Sequence, residues 1–529
     1  MLRSRAWLLA VAAVAVGCTG EVGEGDDDAP RGRVDDPPTT TDPPPVTPPA
    51  AVDCTHKGSG TDYVVGPGQA YESLGDVPFE SLRRGDTVRI FHRAEPYREK
   101  IMIGGEASTD DPIRVCGVPG PNGELPVIDG AGATTRSSVQ FPYEGHESRG
   151  VVVIGHPNDA PYEQMPGPIV LEGLAITGGR ADETFTNTSG AQEGYSDAVA
   201  GVFVQRGRGI TIRGCEIFGN ANGIFAGTSA GDEGTYDVLV EANHVYDNGT
   251  PGSDRQHNSY NEVVGIVYQF NRFGAPRADS GAGNVKDRSA GVVFRYNYVE
   301  SGGHLLDLVD AQEARSTTVA MPEFHESFVY GNVFVRADAG GSMIHYGGDS
   351  GIFDDYRKGT LYFFHNTVFV GNQSQQDYDE VAVFELSTND ENLWSRNNLY
   401  ALAAPTTPYK PVVLLGRRDG EVHGIADLAG DWIANGMTPS AEIPGVPVPF
   451  DGEVVGFEPR PGGSDPLLVN ASGGDLHPAE GSPLIAAGVS LMGVVADGYL
   501  PHFAYDEMTS GVARDDAAAP TIGGLTSAP

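Results

Sequence analysis

The stretch that decides the fold is Val293-Phe294-Arg295-Tyr296-Asn297-Tyr298-Val299, because its pattern of an Asn between two short hydrophobic segments recurs along the chain. Two earlier variants carry Leu174 and Cys215 at the Asn position, and successive copies lie 41, 28, 28, 26, 35, 34 and 32 residues apart. A period in this range indicates a solenoid, and the lack of helical periodicity between copies predicts short strands. The six Asn copies are Asn243, Asn271, Asn297, Asn332, Asn366 and Asn398.

The repeat predicts an all-β protein built as a single-stranded parallel β-helix, in which each turn of the chain adds one strand to each of several parallel sheets. Inward side chains then pack against the turns above and below. We expect the repeated Asn residues to lie at one corner, to tolerate left-handed backbone geometry there, and to hydrogen-bond to their copies in neighbouring turns. The Asn column is therefore predicted to build the fold and not a ligand site.

The first 18 residues are typical of an export signal, since a charged start is followed by an apolar run too short to span a bilayer. The run ends in small residues followed directly by Cys18, which resembles a bacterial lipobox. That resemblance implies that Cys18 becomes the lipidated first residue of an outer-membrane lipoprotein, surface-exposed or secreted. An ordinary cleaved signal peptide is the alternative.

The rest of the chain divides into a spacer and one elongated domain. Residues 19–52 are rich in Pro and Asp and predict a stiff, disordered spacer. Residues 62–525 are assigned to the β-helix, with a short amphipathic helix from Tyr71 to Leu82 covering its first turn. Segments 465–468 and 481–488 are predicted to be its last turns. In an oxidising envelope Cys54 and Cys116 could form a disulfide, whereas Cys215 is expected to be a buried small residue.

The charge balance limits the partners. The chain has 72 acidic and 34 basic residues, which argues against nucleic acid. An anionic polysaccharide would need a local basic spot on such a surface.

Several motifs resemble bacterial right-handed parallel β-helix proteins of the pectate-lyase-like superfamily. They are the opening Gly85-Asp86-Thr87-Val88, the Asn-containing turns and the closing Gly481-Ser482-Pro483. The resemblance covers about residues 62–525 and implies a right-handed coil. Because that superfamily holds lyases, hydrolases, epimerases and non-catalytic binders, the fold alone does not set the reaction.

A more specific segment begins with His257-Asn258-Ser259-Tyr260 and continues through Lys286 and Arg288 to an Asp-Leu strand at Asp307. This order resembles a group of exported bacterial β-helix proteins. It is also similar to alginate and chondroitin lyases, which use a Lys and an Arg on neighbouring turns. This chain departs from them near their second Arg, where Leu306 and Asp307 stand.

Counting from each Asn corner to the next polar strand position places five ionisable residues on one sheet in successive turns. A groove with one such group per turn would suit a linear polysaccharide. The five are His257, Lys286, Asp307, His345 and Glu385.

Lys286 and Arg288 fall on the same face of a strand by alternation. We expect the like charge of Arg288 to lower the pKa of Lys286, which suits a general base. In a uronate β-elimination Lys286 would remove the C5 proton, Arg288 would neutralise the carboxylate, and His257 or Tyr260 would protonate the leaving O4. The alternative is that Lys286 and Arg288 form stabilising ion pairs with neighbouring Asp residues, namely Asp287, Asp307 or Asp310.

Four residues are predicted to contact substrate: Asp307, His345, Tyr346 and Glu385. Tyr346 and Tyr356 lie in Gly-rich segments and are candidates for stacking on sugar rings. Asp307 and Asp310 are candidates for orienting Lys or Arg or for binding Ca²⁺. Acidic groups in Gly-containing loops are typical of solvated loops, with a Ca²⁺ site as the alternative; they are Asp232-Glu233, Asp349 and Asp354-Asp355.

Three functions follow from these patterns. The first is a polysaccharide lyase on a uronate-containing chain. The second is a glycoside hydrolase on the same fold, with Asp307, Asp310 and Glu385 as its carboxylates. The third is a non-catalytic glycan-binding surface protein.

Overall fold

The computed structural model describes most of the chain from residue 46 onward. Cys18, the predicted export signal, most of the predicted spacer and the pair Asp232-Glu233 lie outside the described residues. The described residues are 46–49, 51–142, 145–227, 234–281, 283–336, 341–371, 381–388, 390–403, 412–417, 424–439, 453–458, 465–493, 495, 498–506, 512–514 and 520–527.

Within that part of the chain, the strands form three long sheets of 13, 10 and 14 strands, which we call sheets 1, 2 and 3. From Gly207–Arg213 to Met437–Thr438, each turn of the chain passes through sheets 1, 2 and 3 in that order and pairs in parallel with the turn before it. The end strand Gln192–Gly194 of sheet 3 is an exception, since it pairs antiparallel. The prediction of a right-handed parallel β-helix is confirmed.

The bounds of the strands are as follows. Sheet 1 contains Asp62–Val65, Thr87–Phe91, Ile113–Val118, Ile169–Glu172, Gly207–Arg213, Thr235–Glu241, Val264–Gln269, Ala290–Arg295, Glu326–Tyr330, Gly359–Phe364, Glu391–Arg396, Ile425–Asp427 and Glu453–Val455. Sheet 2 contains Val127–Asp129, Ala175–Thr177, Glu216–Phe218, His244–Tyr246, Arg272–Phe273, Tyr298–Glu300, Val333–Arg336, Thr367–Val370, Leu399–Leu402 and Trp432–Ile433. Sheet 3 contains Gln192–Gly194, Thr184–Thr186, Thr134–Thr135, Glu99–Ile103, Gly150–Ile154, Ala200–Val204, Asn222–Ala226, Ser259–Asn261, Val285–Asp287, Leu306–Leu308, Gly341–Tyr346, Val381–Leu386, Val412–Arg417 and Met437–Thr438.

Helices are short and lie in the connections. One α-helix is described over its full length, Arg315–Val319. Among the described residues, no helix is both long and apolar enough to cross a bilayer. The 3₁₀ helices are Leu74–Asp76, Phe79–Ser81, Glu147–Arg149, Pro322–His325, Phe353–Asp355 and Ala471–Gly473.

The core fills the inside of the coil with stacked aliphatic and aromatic side chains. Val285 pairs with Leu306 and Leu306 with Ile344, and all three are buried. Because side chains alternate along a strand, the residue after each of them points to the outside of sheet 3. This alternation positions the candidate site.

The repeated Asn residues form a buried ladder at the corner between sheets 1 and 2. The backbone N–H and the Nδ2 of Asn271 donate to Oδ1 of Asn297 at 3.0 and 2.9 Å, and Nδ2 also donates to the Val240 carbonyl at 2.8 Å. The same pattern recurs at the other copies, so the predicted stacking is confirmed. The left-handed residue precedes each Asn, as at Phe270 (φ 57°) and Tyr296 (φ 55°). The expectation that Asn itself takes this conformation is wrong, because the chain turns before the Asn side chain enters the corner.

The ladder begins at a thiol and ends at a carboxyl group. The backbone N–H of Cys215 donates to Oδ1 of Asn243 at 3.0 Å, and burial raises the Cys215 pKa to about 12. At the other end, Oδ1 of Asp431 accepts from the backbone N–H and Nδ2 of Asn398. Burial raises the Asp431 pKa to about 7. Cys215 is therefore the inert buried residue that the sequence predicts.

The first turn is covered by two 3₁₀ helices and not by one amphipathic helix over Tyr71–Leu82. Pro78 interrupts the segment, because it has no N–H to donate within a helix. Leu74 and Phe79 are buried in the core, so the segment does cover the apolar end of the coil. Cys54 and Cys116, whose pairing the sequence left open, form a disulfide with a Cα–Cα distance of 5.5 Å.

The C-terminal segments are not the last turns of the coil. Leu468–Asn470 and Asp475–Pro478 pair with each other antiparallel through a turn at Gly474 (φ 90°), so they add no parallel strand. Later residues pack on the outside of the coil beside the Asn corner. Tyr499 stacks on Phe328 with ring centroids 3.6 Å apart.

Candidate functional site

Sheet 3 carries a column of outward residues in register. Tyr260 pairs with Lys286, Lys286 with Asp307, Asp307 with His345, and His345 with Glu385. The predicted placement of the last four residues on one sheet in successive turns is confirmed. Tyr260 occupies the head of the column, where the sequence analysis expected His257.

The character of this column changes along the coil. In the preceding turns the same positions hold Phe203 and Phe225, and the Phe225 ring lies 5.0 Å from the Tyr260 ring. The Arg149 guanidinium lies over Phe203 and Phe225, at 4.7 and 5.0 Å from their ring centroids. The ionisable half therefore begins at Lys286, beside an aromatic half that carries one cation.

Lys286 and Arg288 share one carboxylate. The Lys286 ammonium donates to Asp349 Oδ2 and, at 2.9 Å, to Asp307 Oδ2. Arg288 donates from an Nη atom to Asp349 Oδ1 at 3.2 Å. Asp349 thus neutralises both cations from a loop that follows the strand of His345.

The pKa of Lys286 is raised and not lowered, so the expectation of a deprotonated general base is wrong. Burial lowers the pKa and Arg288 adds to that effect, but the carboxylates of Asp307 and Asp349 raise it more. The alternative that these cations form ion pairs is confirmed for Lys286 with Asp307 and for Arg288 with Asp310. The further partner Asp349 comes 63 residues after Lys286, and the sequence did not indicate this pairing.

Three hydrogen bonds fix Arg288 in addition to its bond to Asp349. It donates to the Asp310 carbonyl at 2.6 Å, to Asp310 Oδ1 at 3.2 Å and to the Tyr260 hydroxyl at 3.0 Å. Burial lowers the Arg288 pKa, but Tyr260, Asp349 and Asp310 raise it more. The guanidinium is therefore held in one orientation beside Tyr260.

His257 lies next to this pair of cations. Its ring stacks on Tyr260 at a centroid distance of 5.8 Å, and its Nδ1 lies 3.1 Å from the Gly283 carbonyl oxygen. Burial, with a further contribution from Lys286, lowers the His257 pKa to about 4. Burial raises the pKa of Tyr260. At neutral pH the site therefore offers a neutral imidazole and a protonated phenol.

His345 joins Asp307 to a serine. His345 Nδ1 lies 2.7 Å from Asp307 Oδ1, and Nε2 lies 2.8 Å from Ser387 Oγ. The order Asp-His-Ser is that of a nucleophilic triad. Ser387 is 0% exposed and also donates to the Gly348 carbonyl, so substrate cannot reach it. The set acts as a buried polar network beneath the column.

Two tyrosines that were candidates for contact with substrate are buried. Tyr346 is 0% exposed and points into the core, where its hydroxyl donates to the Lys358 carbonyl at 2.8 Å. Its assignment to substrate binding is wrong, because it follows the outward His345 on the same strand. Tyr356 is also buried. Glu385 lies on the outer side and accepts a hydrogen bond from Ser342.

The candidate metal ligands separate into two places. Asp310 Oδ1 accepts from the Asp349 backbone N–H at 2.8 Å and from Arg288, so its carboxylate is used within the Arg288 cluster. Among the residues that the structure describes, the His/Cys/Asp/Glu group close enough to hold an ion consists of His304, Asp307 and His345. Asp307 belongs to it and Asp310 does not.

The site lies outside the coil but is not an open groove. Lys286 is 9% exposed, and Arg288, Asp307 and His257 are buried as well. The loop at 347–351 reaches Lys286 and Arg288 through Asp349. A Cβ at Gly347 (φ 136°) would come within 2.5 Å of the Ser387 Cβ, so the loop requires glycine there to lie this close.

Sequence reasoning missed the loop residues of the site. Asp349, His304 and Arg149 lie in connections, whose lengths vary from turn to turn and carry no period. The Gly-rich loop is visibly acidic in the sequence, but the pairing of Asp349 with Lys286 and Arg288 has no signal there.

Comparisons with known proteins find likenesses among solved structures alone. No protein-family model and no curated protein sequence matches it. Among solved structures, the chain is similar to pectate lyase Pel9A, with a TM-score of 0.41, 12% identity, and coverage of 90% of this chain and 99% of that chain. It is also similar to ORF18 of Geobacillus virus E2, with a TM-score of 0.26, 10% identity, and coverage of 65% and 54%. Likenesses at this level carry no information about activity.

Proposed function

We propose that the protein is a polysaccharide lyase that cleaves a uronate-containing chain by β-elimination at the outer face of sheet 3. The observation that supports this most is the shared binding of one carboxylate by Lys286 and Arg288. A uronate presents the same group to an enzyme.

Asp349 stands in for the substrate's carboxylate. Its side chain is 22% exposed, more than those of Lys286 and Arg288, so it is the outermost member of the cluster. In the proposed complex the uronate carboxylate replaces it between the two cations. Arg and Lys together then neutralise the charge that would otherwise oppose removal of the C5 proton.

His257 is the proposed base. Because the Gly283 carbonyl only accepts, Nδ1 of the neutral ring carries the hydrogen and Nε2 carries the lone pair. Nε2 takes the C5 proton, and the electron pair of the C5–H bond forms the C4–C5 double bond. This role moves from Lys286, which is held as a cation.

Tyr260 is the proposed acid. As the C4–O4 bond breaks, its electron pair goes to O4, and O4 takes the proton of the Tyr260 hydroxyl. Arg288 donates to the same hydroxyl oxygen and stabilises the phenolate that forms. Proton exchange with solvent then returns His257 and Tyr260 to their starting states.

The hydrolase alternative has less support. It requires a carboxylic acid with a raised pKa to protonate the leaving oxygen. Despite burial, Lys286 and the histidines near it hold the pKa of Asp307 well below its usual range. The carboxylates of Asp310 and Glu385 are bonded to Arg288 and Ser342, respectively.

The test is an assay of the full chain on pectate, alginate and glycosaminoglycans, with and without added Ca²⁺. The lyase forms products whose new double bond absorbs in the ultraviolet. We expect Arg288→Gln and Lys286→Met to lower the rate by roughly 10²- to 10³-fold. New reducing ends without ultraviolet absorbance would contradict the proposal in favour of the hydrolase. Glycan binding without turnover would favour the non-catalytic binder.

A matched control is available on sheet 2. Arg272 is a partly exposed strand residue that pairs with Glu300 at 3.4 Å. Arg272→Gln removes one cation from the outside of the coil without touching the candidate site. Its activity is expected to equal that of the parent.

The tether is part of the proposal. Lipidation at Cys18 would hold the enzyme at the outer membrane, with an anionic polysaccharide as its partner. Mass spectrometry of the mature protein checks this, because the Cys18→Ala variant should lack the lipid mass. An N-terminus at any other residue would contradict it.

A further inference from the structure

We infer that His304, Asp307 and His345 form a binding site for one divalent transition-metal ion on the outer side of sheet 3. One ligand atom of each residue lies within 4.8 Å of the others, and the two imidazole rings are 5.3 Å apart. Asp307 and His345 are paired in register on adjacent strands, and His304 comes from the connection before Asp307. The inference does not depend on the proposed lyase reaction.

The hydrogen bond of His304 selects its tautomer. Nδ1 lies 3.1 Å from the Ser342 carbonyl oxygen. Because a carbonyl oxygen only accepts, Nδ1 of the neutral ring carries the hydrogen. Nε2 therefore keeps the lone pair that a metal ion needs.

His345 already faces Asp307. Its Nδ1 lies 2.7 Å from Asp307 Oδ1 and its Nε2 lies 2.8 Å from Ser387 Oγ, so a proton joins the imidazole to the carboxylate in the metal-free protein. A metal ion with bonds of about 2.0–2.2 Å would replace that proton, because metal binding releases protons from its ligands.

Each of the three ligands has an outer partner that holds it. The Ser342 carbonyl holds His304, Ser387 holds His345, and the Lys286 ammonium lies 2.9 Å from the second oxygen of Asp307. Such partners orient metal-binding imidazoles and carboxylates. The cluster therefore has the support expected of a built site.

The donor atoms select the class of ion. Two imidazole nitrogens and one carboxylate suit Zn²⁺ and other first-row transition metals. Ca²⁺ prefers six to eight oxygen ligands, which this cluster does not provide. His304 is partly exposed, whereas Asp307 and His345 are buried, so the ion would enter from the side of His304.

The test is calorimetric titration of the metal-free full chain with Zn²⁺, with Co²⁺ for its visible spectrum and with Ca²⁺ for comparison. We expect one Zn²⁺ per chain, a rise in the thermal midpoint on binding, and Co²⁺ bands characteristic of nitrogen ligands. His304→Ala should weaken Zn²⁺ binding by at least ~100-fold. Because His304 is partly exposed, this variant is expected to fold, which circular dichroism checks.

His244→Ala is the matched control, since His244 is a partly exposed strand residue on sheet 2. It should bind Zn²⁺ as the parent does. The inference is overturned if the parent binds no Zn²⁺, if Ca²⁺ binds more tightly than Zn²⁺, or if His304→Ala binds Zn²⁺ unchanged. In the first case a proton is the cation shared by His345 and Asp307.

Discussion

Asp349 Oδ1 lies 3.2 Å from an Nη atom of Arg288, although 61 residues separate the two in the chain. The loop after the strand of His345 thus places a carboxylate where the proposed substrate would place its own. In the proposed complex, Asp349 therefore competes with the substrate carboxylate for the same two cations.

Asp349→Asn should therefore strengthen the binding of a uronate oligosaccharide. The amide keeps the size of the side chain but removes the charge that occupies Lys286 and Arg288. We expect a several-fold lower KM, or a several-fold lower dissociation constant by calorimetry. Asp355→Asn is the control. Asp355 lies in the same connection as Asp349 but pairs with Arg315 and not with Lys286 or Arg288. Equal affinities for the parent and Asp349→Asn would show that Asp349 does not compete.

The pH profile should report His257. Burial lowers the His257 pKa most, Lys286 and Arg288 lower it further, and Asp307 raises it. The resulting pKa is about 4. Since the base must be neutral, kcat/KM should fall as pH drops through about 4 and stay level from about 5 to 8. In His257→Gln the fall of kcat/KM at acid pH should disappear. The rate should be roughly 10²- to 10⁴-fold lower than that of the parent. An acid limb near the ordinary histidine pKa would contradict the assignment.

Much of the column was predictable because the repeat keeps a common frame. Lys286, Asp307, His345 and Glu385 each follow an Asn corner on the next strand of sheet 3, and parallel pairing brings these positions into contact. Strand alternation would also have excluded Tyr346, since it follows an outward residue.

The remaining features come from segments without a period. Asp349 and His304 reach the column from connections, and Asp349 contributes to the raised pKa of Lys286. Likewise, the C-terminal region contains strand-like sequence, but local antiparallel pairing at Gly474 competes with addition to the coil. Sequence pattern predicts strands well and does not predict which partner a terminal strand chooses.

Asn297→Ala should destabilise the coil. It removes the acceptor for the backbone N–H of Asn271 and the donor to the Tyr268 carbonyl, all within a buried ladder. Leaving such groups unsatisfied costs on the order of 3 kcal/mol. Urea denaturation measures this as a lower midpoint. Asn122→Ala is the control, because Asn122 lies in an exposed turn, and it should change the midpoint little. An equal drop in the midpoint of both variants would show that the ladder adds no particular stability.

The carboxyl end of the ladder predicts a pH-dependent stability. Because the folded pKa of Asp431 is raised to about 7, its neutral form is the favoured one. Its contribution is fully present below the ordinary Asp pKa near 4 and is lost as pH rises to and through about 7. At about 1.4 kcal/mol per pKa unit, the loss is on the order of 4 kcal/mol.

Asp431→Asn continues the ladder with an amide and should remove this loss. We expect the thermal midpoint of the parent to fall more between pH 5 and pH 8 than that of Asp431→Asn. The variant should be the more stable protein at pH 8. Parallel pH curves for the two proteins would show that Asp431 is already ionised in the fold.

The most direct test of the account is the mass of the products formed from a polyuronate by the full chain. β-Elimination predicts fragments whose new non-reducing end is lighter by one water than a hydrolytic end. These fragments should be made by the parent and Arg272→Gln and be nearly absent with Arg288→Gln. Fragments that carry the added water, or unsaturated fragments formed equally by Arg288→Gln, would contradict a lyase site at Lys286 and Arg288.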